Sequence, residues 1–139
     1  GWWLDATEPE LNYIWWRKRD GEAIKEYMTG CMSGARTRNA FPLMTTRAVY
    51  DGQREHTSGK RVYILTRSAF PGQQRHAATT WSGDIAGTWD VFRRQIAAGL
   101  NFCMTGIPYW TTDIGGFFVH YKGGCRNKEY RELFVRWSK

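Results

Sequence analysis

Three aspartates that follow short strand-like runs containing tryptophan are the residues best suited to chemistry. They are Asp5, Asp84 and Asp113, which come soon after the runs Trp2–Leu4, Ala77–Trp81 and Tyr109–Thr112. In α/β enzymes the catalytic side chains come from the carboxyl ends of several strands. The recurrence of an acid after each run therefore predicts an α/β fold with acids at its strand ends.

Two of these acids, Asp5 and Asp84, follow the first and third predicted strands of the series. Alternate strands of a barrel contribute to the same layer, so two such carboxylates can face one another across a pocket. Glycoside hydrolysis needs this pair, one carboxylate to attack the anomeric carbon and one acid to protonate the leaving oxygen. Neighbouring tryptophans offer flat apolar surfaces for sugar rings. Arg67, after the second predicted strand, can pair with a carboxylate and with a sugar hydroxyl.

Each of these residues also has a purely structural interpretation. An Asp after a strand is most often a turn former or a helix cap. Tryptophans are more often core residues than sugar platforms, and a single arginine such as Arg67 is more often a surface charge. The recurrence of the acids in matching positions, each beside Trp, favours the functional interpretation.

Four strand-like segments alternate with helical ones. The predicted strands are Gly1–Leu4, which we expect to be buried, Val62–Leu65, Ala77–Trp81 and a region from Asn101 to Trp110. The run Val62–Leu65 is continuously apolar, which is typical of a parallel strand covered on both faces. Predicted helices cover Leu43–Arg54 after Pro42, a segment capped by Thr88 and ended by Gly99, a final segment capped by Asn127, and, less definitely, Glu22–Met28.

The expected architecture is a small open sheet or about half of a barrel, because four β/α units cannot close a barrel of eight. The chain begins Gly-Trp-Trp and stops at Lys139. These abrupt ends favour the second alternative. We therefore expect residues 1–139 to be one incomplete catalytic domain.

Composition argues against several other classes of protein. The 139 residues carry a formal charge of +7, but the positive side chains are scattered rather than clustered as a nucleic-acid site requires. No apolar run approaches the roughly 20 residues of a membrane span. No strand is followed by a dinucleotide-binding glycine motif, and no P-loop is present.

The cysteines lack disulfide or zinc spacing, and we expect Cys103 to be buried. We expect His56, His76 and His120 to be solvated. Cellular compartment is left open.

The residues around these acids carry a resemblance to a known family. The segments Trp2–Glu10, Arg67–Arg75, Trp81–Asp84 and Pro108–Phe118 resemble glycoside hydrolase family 31, and in particular its bacterial α-xylosidase-like and α-glucosidase-like members. The resemblance implies a (β/α)8 TIM barrel of which this chain holds about strands four to seven. It is weakest from Tyr13 to Arg38.

The resemblance also implies roles for individual residues. Asp5 matches the family nucleophile, Asp84 its acid/base, and Glu8 an acidic residue that supports the nucleophile loop. Arg67 matches an arginine that contacts the carboxylates and the sugar. The positions that match the lining of the sugar subsite are Trp3, Trp81, Asp113 and Phe117.

The activity implied is that of a retaining exo-acting α-glycoside hydrolase, an α-xylosidase or α-glucosidase, that needs no metal or organic cofactor. Its substrate would be an α-linked oligosaccharide, xyloside or glucoside. The family's sugar-binding residues near the first and eighth strands lie outside this chain, so we expect the rest of the barrel to be required. Two alternatives stay open: a non-catalytic carbohydrate-binding relative, and a basic nucleic-acid module that stacks bases on the same aromatics.

Overall fold

The computed structural model describes residues 1–7 and 38–139. The described strands are β1 (Trp2–Leu4), β2 (Ile64–Thr66), β3 (Ala78–Trp81) and β4 (Trp110–Thr111), and they form one sheet in that order. The described α-helices are α1 (Phe41–His56), α2 (Trp89–Cys103) and α3 (Lys128–Trp137). β1 pairs with β2, and β3 with β4, both in parallel. Parallel strands joined through helices confirm the predicted α/β class.

The chain forms two compact units, Gly1–Ala78 and Thr79–Lys139. The boundary falls inside β3, whose first residue belongs to the first unit. That residues 1–139 act as one incomplete catalytic domain stays a prediction.

The core of the first unit lies between α1 and the sheet. Val62, Ile64 and Ala78 are buried, and Val49 and Tyr50 of α1 pack against them. Pro42 occupies the first turn of α1, where its missing N–H costs nothing. The predicted helix is confirmed and extends to His56.

The core of the second unit is formed by α3 and the elements around it. Tyr130, Leu133 and Trp137 are buried, and Phe92 of α2 packs against them with its ring centroid 5.1 Å from that of Trp137. These positions follow the helical spacing that places side chains on one face of α3.

Both predicted helix caps of the second unit are confirmed. Thr88 Oγ1 accepts a hydrogen bond of 3.2 Å from the Val91 amide at the start of α2. Asn127 Oδ1 accepts bonds of 2.9 and 3.1 Å from the amides of Glu129 and Tyr130 at the start of α3. Each cap satisfies backbone donors that the first helical turn leaves unpaired.

The prediction that Gly99 ends α2 is wrong, because the helix continues to Cys103. Gly99 is buried inside the helix, and a Cβ there would lie 2.8 Å from Cδ1 of Trp110. The glycine therefore marks a close approach of α2 to β4. Cys103 is exposed rather than buried, since it occupies the last position of the helix.

His76 is buried, whereas the sequence predicted a solvated side chain. It lies in a 3-10 helix, Gln73–His76, and its Nδ1 is 3.1 Å from Thr46 Oγ1 of α1. Burial follows from this packing of the connection between β2 and β3 against α1. His56 and His120 are exposed, as predicted.

The strands are displaced from their predicted limits. β2 begins at Ile64 rather than Val62, and β4 is confined to two residues because α2 occupies the start of the predicted region. Trp2 and Trp3 of β1 are exposed rather than buried, since β1 is an edge strand of the described sheet. The predicted helix Glu22–Met28 lies outside the described residues.

Among the described residues, no helix is both long enough and apolar enough to cross a membrane.

Candidate functional site

Asp5 and Arg67 are brought together at the ends of neighbouring strands. Asp5 directly follows β1 and Arg67 directly follows β2, and the strands pair in parallel with Leu4 opposite Thr66. Arg67 Nε lies 3.4 Å from Asp5 Oδ1, with side chains 15% and 49% exposed respectively. Parallel pairing thus places the predicted nucleophile beside the predicted arginine.

The backbone turns sharply immediately after Asp5. Ala6 has a φ of +50°, in the left-handed region that residues other than glycine seldom adopt. Its amide donates a 2.9 Å hydrogen bond to Asp5 Oδ1. Oδ1 is therefore held both by this amide and by Arg67.

A chain of three hydroxyls lies beside this ion pair. Thr7 Oγ1 is 2.7 Å from Thr66 Oγ1 and 2.8 Å from Ser68 Oγ. Thr66 and Ser68 are buried. The sequence analysis missed this contact, because no spacing rule connects residues so far apart in the sequence.

Trp3 and Glu8 are the other two site residues predicted in the N-terminal segment. Trp3 is 69% exposed, which leaves its ring accessible in the described chain. Glu8 lies outside the described residues.

Asp84 comes shortly after β3 in the second unit and is exposed. Trp81, the last residue of β3, is only 6% exposed. Gly83 between them has a φ of +75°, which turns the chain after the strand.

The segments that follow Asp84 and Asp113 are hydrogen-bonded to each other. The amides of Phe117 and Phe118 donate to the Ile85 carbonyl at 2.8 and 3.0 Å, and the Gly87 amide donates to the Phe118 carbonyl at 2.9 Å. Ile85 is the immediate neighbour of Asp84 in the sequence. The backbone next to Asp84 and the segment carrying Phe117, whose side chain is exposed, therefore form one connected structure.

The described residues contain no group of three or more His, Cys, Asp or Glu side chains arranged to hold a metal ion. A cavity of ≈ 270 Å³ in the second unit is lined by residues of α2 and α3, by Thr112 and by Lys139. None of the predicted site residues that the structure describes lines this cavity.

Acidic residues after the carboxyl ends of parallel strands are the arrangement that α/β barrel enzymes use for their active sites. The whole chain, residues 1–139, matches the family model of the "Glycosyl hydrolases family 31 TIM-barrel domain". The chain therefore belongs to glycosyl hydrolase family 31, and its fold is part of that family's barrel.

Named relatives agree with this assignment. An α-xylosidase of Saccharolobus solfataricus is 53% identical over 97% of this chain and 18% of its own length. An α-glucosidase of Bacillus thermoamyloliquefaciens is 29% identical over 99% of the chain and 16% of its own length. The crystal structure of a family 31 α-xylosidase from Xanthomonas citri, 38% identical, superposes with a TM-score of 0.80 over 99% of this chain and 15% of that one. The chain thus spans less than a fifth of the length of these three proteins.

Proposed function

We propose that the complete protein containing this segment is a retaining, exo-acting α-glycoside hydrolase. Asp5 is the nucleophile and Asp84 the acid/base. The observation that carries the proposal is the position of Asp5, directly after β1 and 3.4 Å from Arg67, in a chain that matches the family 31 barrel throughout.

In the first step Asp5 attacks the anomeric carbon while Asp84, as the acid, gives its proton to the glycosidic oxygen. The bond from the anomeric carbon to the leaving group breaks, and a covalent glycosyl-enzyme forms. Both described contacts of Asp5 engage Oδ1, so we expect Oδ2 to attack.

In the second step Asp84, now ionised, takes a proton from water. The water oxygen attacks the anomeric carbon, the bond to Asp5 breaks, and the sugar leaves with its original anomeric configuration. This retaining route requires carboxyl groups about 5–5.5 Å apart, against about 6.5–9.5 Å for inversion.

Arg67 orients the nucleophile and contacts the sugar, while Trp3, Trp81, Asp113 and Phe117 line its subsite and Glu8 supports the nucleophile loop. No metal or organic cofactor takes part in these steps.

The substrate is an α-linked oligosaccharide, xyloside or glucoside cleaved from its end. The 53% identity to an α-xylosidase favours α-xylosides over α-glucosides. The ratio of kcat/KM for nitrophenyl α-xyloside and α-glucoside measures this preference directly.

The stereochemistry of the product tests the mechanism. NMR of the complete protein acting on a nitrophenyl α-glycoside should show the α-anomer of the free sugar first. A fluorinated glycosyl fluoride that traps the covalent intermediate should label the peptide containing Asp5. Initial release of the β-anomer, or a label on another residue, would contradict the proposal.

The remainder of the barrel is part of the same proposal. With about half of the strands absent, sheet edges are unpaired, and apolar side chains such as Ile96, Leu100 and Phe134 are exposed in the described chain. We expect the isolated segment to be inactive and either insoluble or bound to a partner. Hydrolysis of a nitrophenyl α-glycoside by the purified segment would refute this expectation.

A further inference from the structure

Thr7 joins the end of β1 to the end of β2 through its hydroxyl group. Its Oγ1 is 2.7 Å from Thr66 Oγ1 and 2.8 Å from Ser68 Oγ. A hydroxyl is able to donate one hydrogen bond and accept others, so Thr7 is able to bridge both partners at once. Thr66 is fully buried and Ser68 nearly so, which means that water cannot easily replace Thr7 as their partner.

The residues of this bridge are close neighbours of the Asp5–Arg67 ion pair in the sequence. Thr7 comes two residues after Asp5, while Thr66 and Ser68 flank Arg67. Two separate connections therefore link the same pair of strand ends: Arg67 holds the Asp5 carboxylate, and the hydroxyls hold the backbone that follows it.

The residue between the two connections has a strained backbone. Ala6 adopts its φ of +50° only if the surrounding structure enforces it, and its amide donates to Asp5 Oδ1. Arg67 holds Asp5, the residue before Ala6, and the hydrogen bonds of Thr7 hold the residue after it. Releasing Thr7 would let Ala6 relax and would take the amide away from the carboxylate.

We propose that Thr7 is a positioning residue for Asp5, fixing the direction from which its carboxylate attacks. The inference rests on the proposed function, in which Asp5 is the nucleophile. Thr7 itself touches no reacting atom. Its effect is exerted through the Ala6 turn, and it should appear in the rate of attack rather than in substrate binding.

The test compares three variants of the complete protein. Thr7→Val keeps the shape of the side chain and removes both hydrogen bonds, whereas Thr7→Ser keeps the hydroxyl. Thr45→Val is the matched control, since Thr45 is a partly buried threonine of α1 whose hydroxyl donates to the Phe41 carbonyl at 3.0 Å. Ser68→Ala removes one of the two partners of Thr7 and provides a milder change should Thr7→Val fail to fold.

Small misplacements of a reacting group cost up to about 100-fold in rate, so Thr7→Val should lower kcat by about 10- to 100-fold with KM changed less than about threefold. The rate of covalent trapping by a fluorinated glycosyl fluoride should fall in parallel, because that rate reports the attack by Asp5 directly. Thr7→Ser should restore most of both rates, Thr45→Val should match the parent, and Ser68→Ala should fall between.

The outcomes separate this inference from the proposed function. If Asp5→Ala abolishes turnover while Thr7→Val and Ser68→Ala trap at the parent rate, the positioning role of Thr7 is overturned and the hydrolase mechanism stands. An increase in KM without a fall in the trapping rate overturns it likewise. If Asp5→Ala retains turnover, the proposed function fails, and the inference fails with it.

Discussion

Arg67 Nε lies 3.4 Å from Asp5 Oδ1, joining the first residue after β2 to the first residue after β1. The Arg67 side chain is mostly buried, so its charge is screened less by water than that of a surface arginine. The guanidinium of Arg67 therefore holds one carboxylate oxygen of Asp5 from a neighbouring strand.

Arg67→Met should therefore lower kcat/KM of the complete protein without unfolding it. Removing the charge that orients Asp5 should misplace the carboxylate, and small misplacements of a reacting group cost up to about 100-fold in rate. The matched control is Arg47→Met, because Arg47 and Asp51 form an ion pair of 3.2 Å on an exposed face of α1. Equal effects of the two substitutions on steady-state kinetics would contradict a role for Arg67 at the site.

Asp84→Ala should separate the two steps of the proposed reaction. An activated leaving group needs no proton, so the glycosyl-enzyme should still form on a dinitrophenyl α-glycoside and then accumulate, because no base activates water. Azide needs no deprotonation and should restore turnover as the α-glycosyl azide, identified by NMR. Asp90→Ala on the exposed face of α2 should behave as the parent. Absence of azide rescue, or rescue as the β-azide, would remove Asp84 from its assigned role.

The structural features that could be predicted from the sequence are those that depend on near neighbours in the chain or on a recurring pattern. The caps Thr88 and Asn127 were predictable because a cap and its helix lie within three residues of each other. The Asp5 and Arg67 positions followed from polar residues recurring after apolar runs, and from the family resemblance. What could not be predicted depends on distant partners: Gly99 on Trp110, His76 on Thr46, and Thr7 on Thr66 and Ser68.

Gly99→Ala should destabilise the protein, although alanine normally favours a helix. The new Cβ would lie 2.8 Å from Cδ1 and 2.9 Å from Nε1 of Trp110, so either the ring or α2 has to shift. Overpacking of this kind costs about 1–3 kcal/mol. Gly52→Ala in α1 is the control, since no atom lies within 4 Å of its added Cβ and alanine gains about 0.5–1 kcal/mol over glycine in a helix. Thermal unfolding should show opposite shifts; a stabilised Gly99→Ala would contradict the contact.

His76 should make stability depend on pH. Burial chiefly, then the positive charges of Arg75 and Arg47, lower the pKa of His76 below its ordinary 6.5, while Asp51 opposes them. The unfolded chain therefore binds a proton more readily than the folded one, so the stabilisation is complete above pH 6.5 and declines as the pH falls towards the folded-state pKa.

The midpoint of thermal unfolding should consequently drop more in the parent than in His76→Gln when the pH is taken below 6.5. His56→Gln provides the comparison, because His56 is an exposed histidine at the end of α1. Identical pH dependence of the parent and His76→Gln would show that His76 does not carry this effect.

Gly116 controls how the segment after Asp113 meets the segment after Asp84. A Cβ on Gly116 would collide with N and Cα of Gly87 and lie 2.7 Å from the Ala86 carbonyl carbon. These atoms are backbone and cannot rotate away. The hydrogen bonds from Phe117 and Phe118 to the Ile85 carbonyl, at 2.8 and 3.0 Å, depend on this close approach.

Gly116→Ala should therefore lower kcat as well as stability, because it displaces the backbone adjoining Asp84. Gly106→Ala is the matched control: both glycines have a φ of +83°, but no atom lies within 4 Å of the Cβ added to Gly106. The left-handed backbone alone costs an L-residue about 1–2 kcal/mol. Gly106→Ala should thus shift the unfolding midpoint and leave kcat unchanged, whereas Gly116→Ala should shift the midpoint further and reduce kcat. If the two variants lose stability equally and both keep the parent kcat, the contact with Gly87 does not position the site.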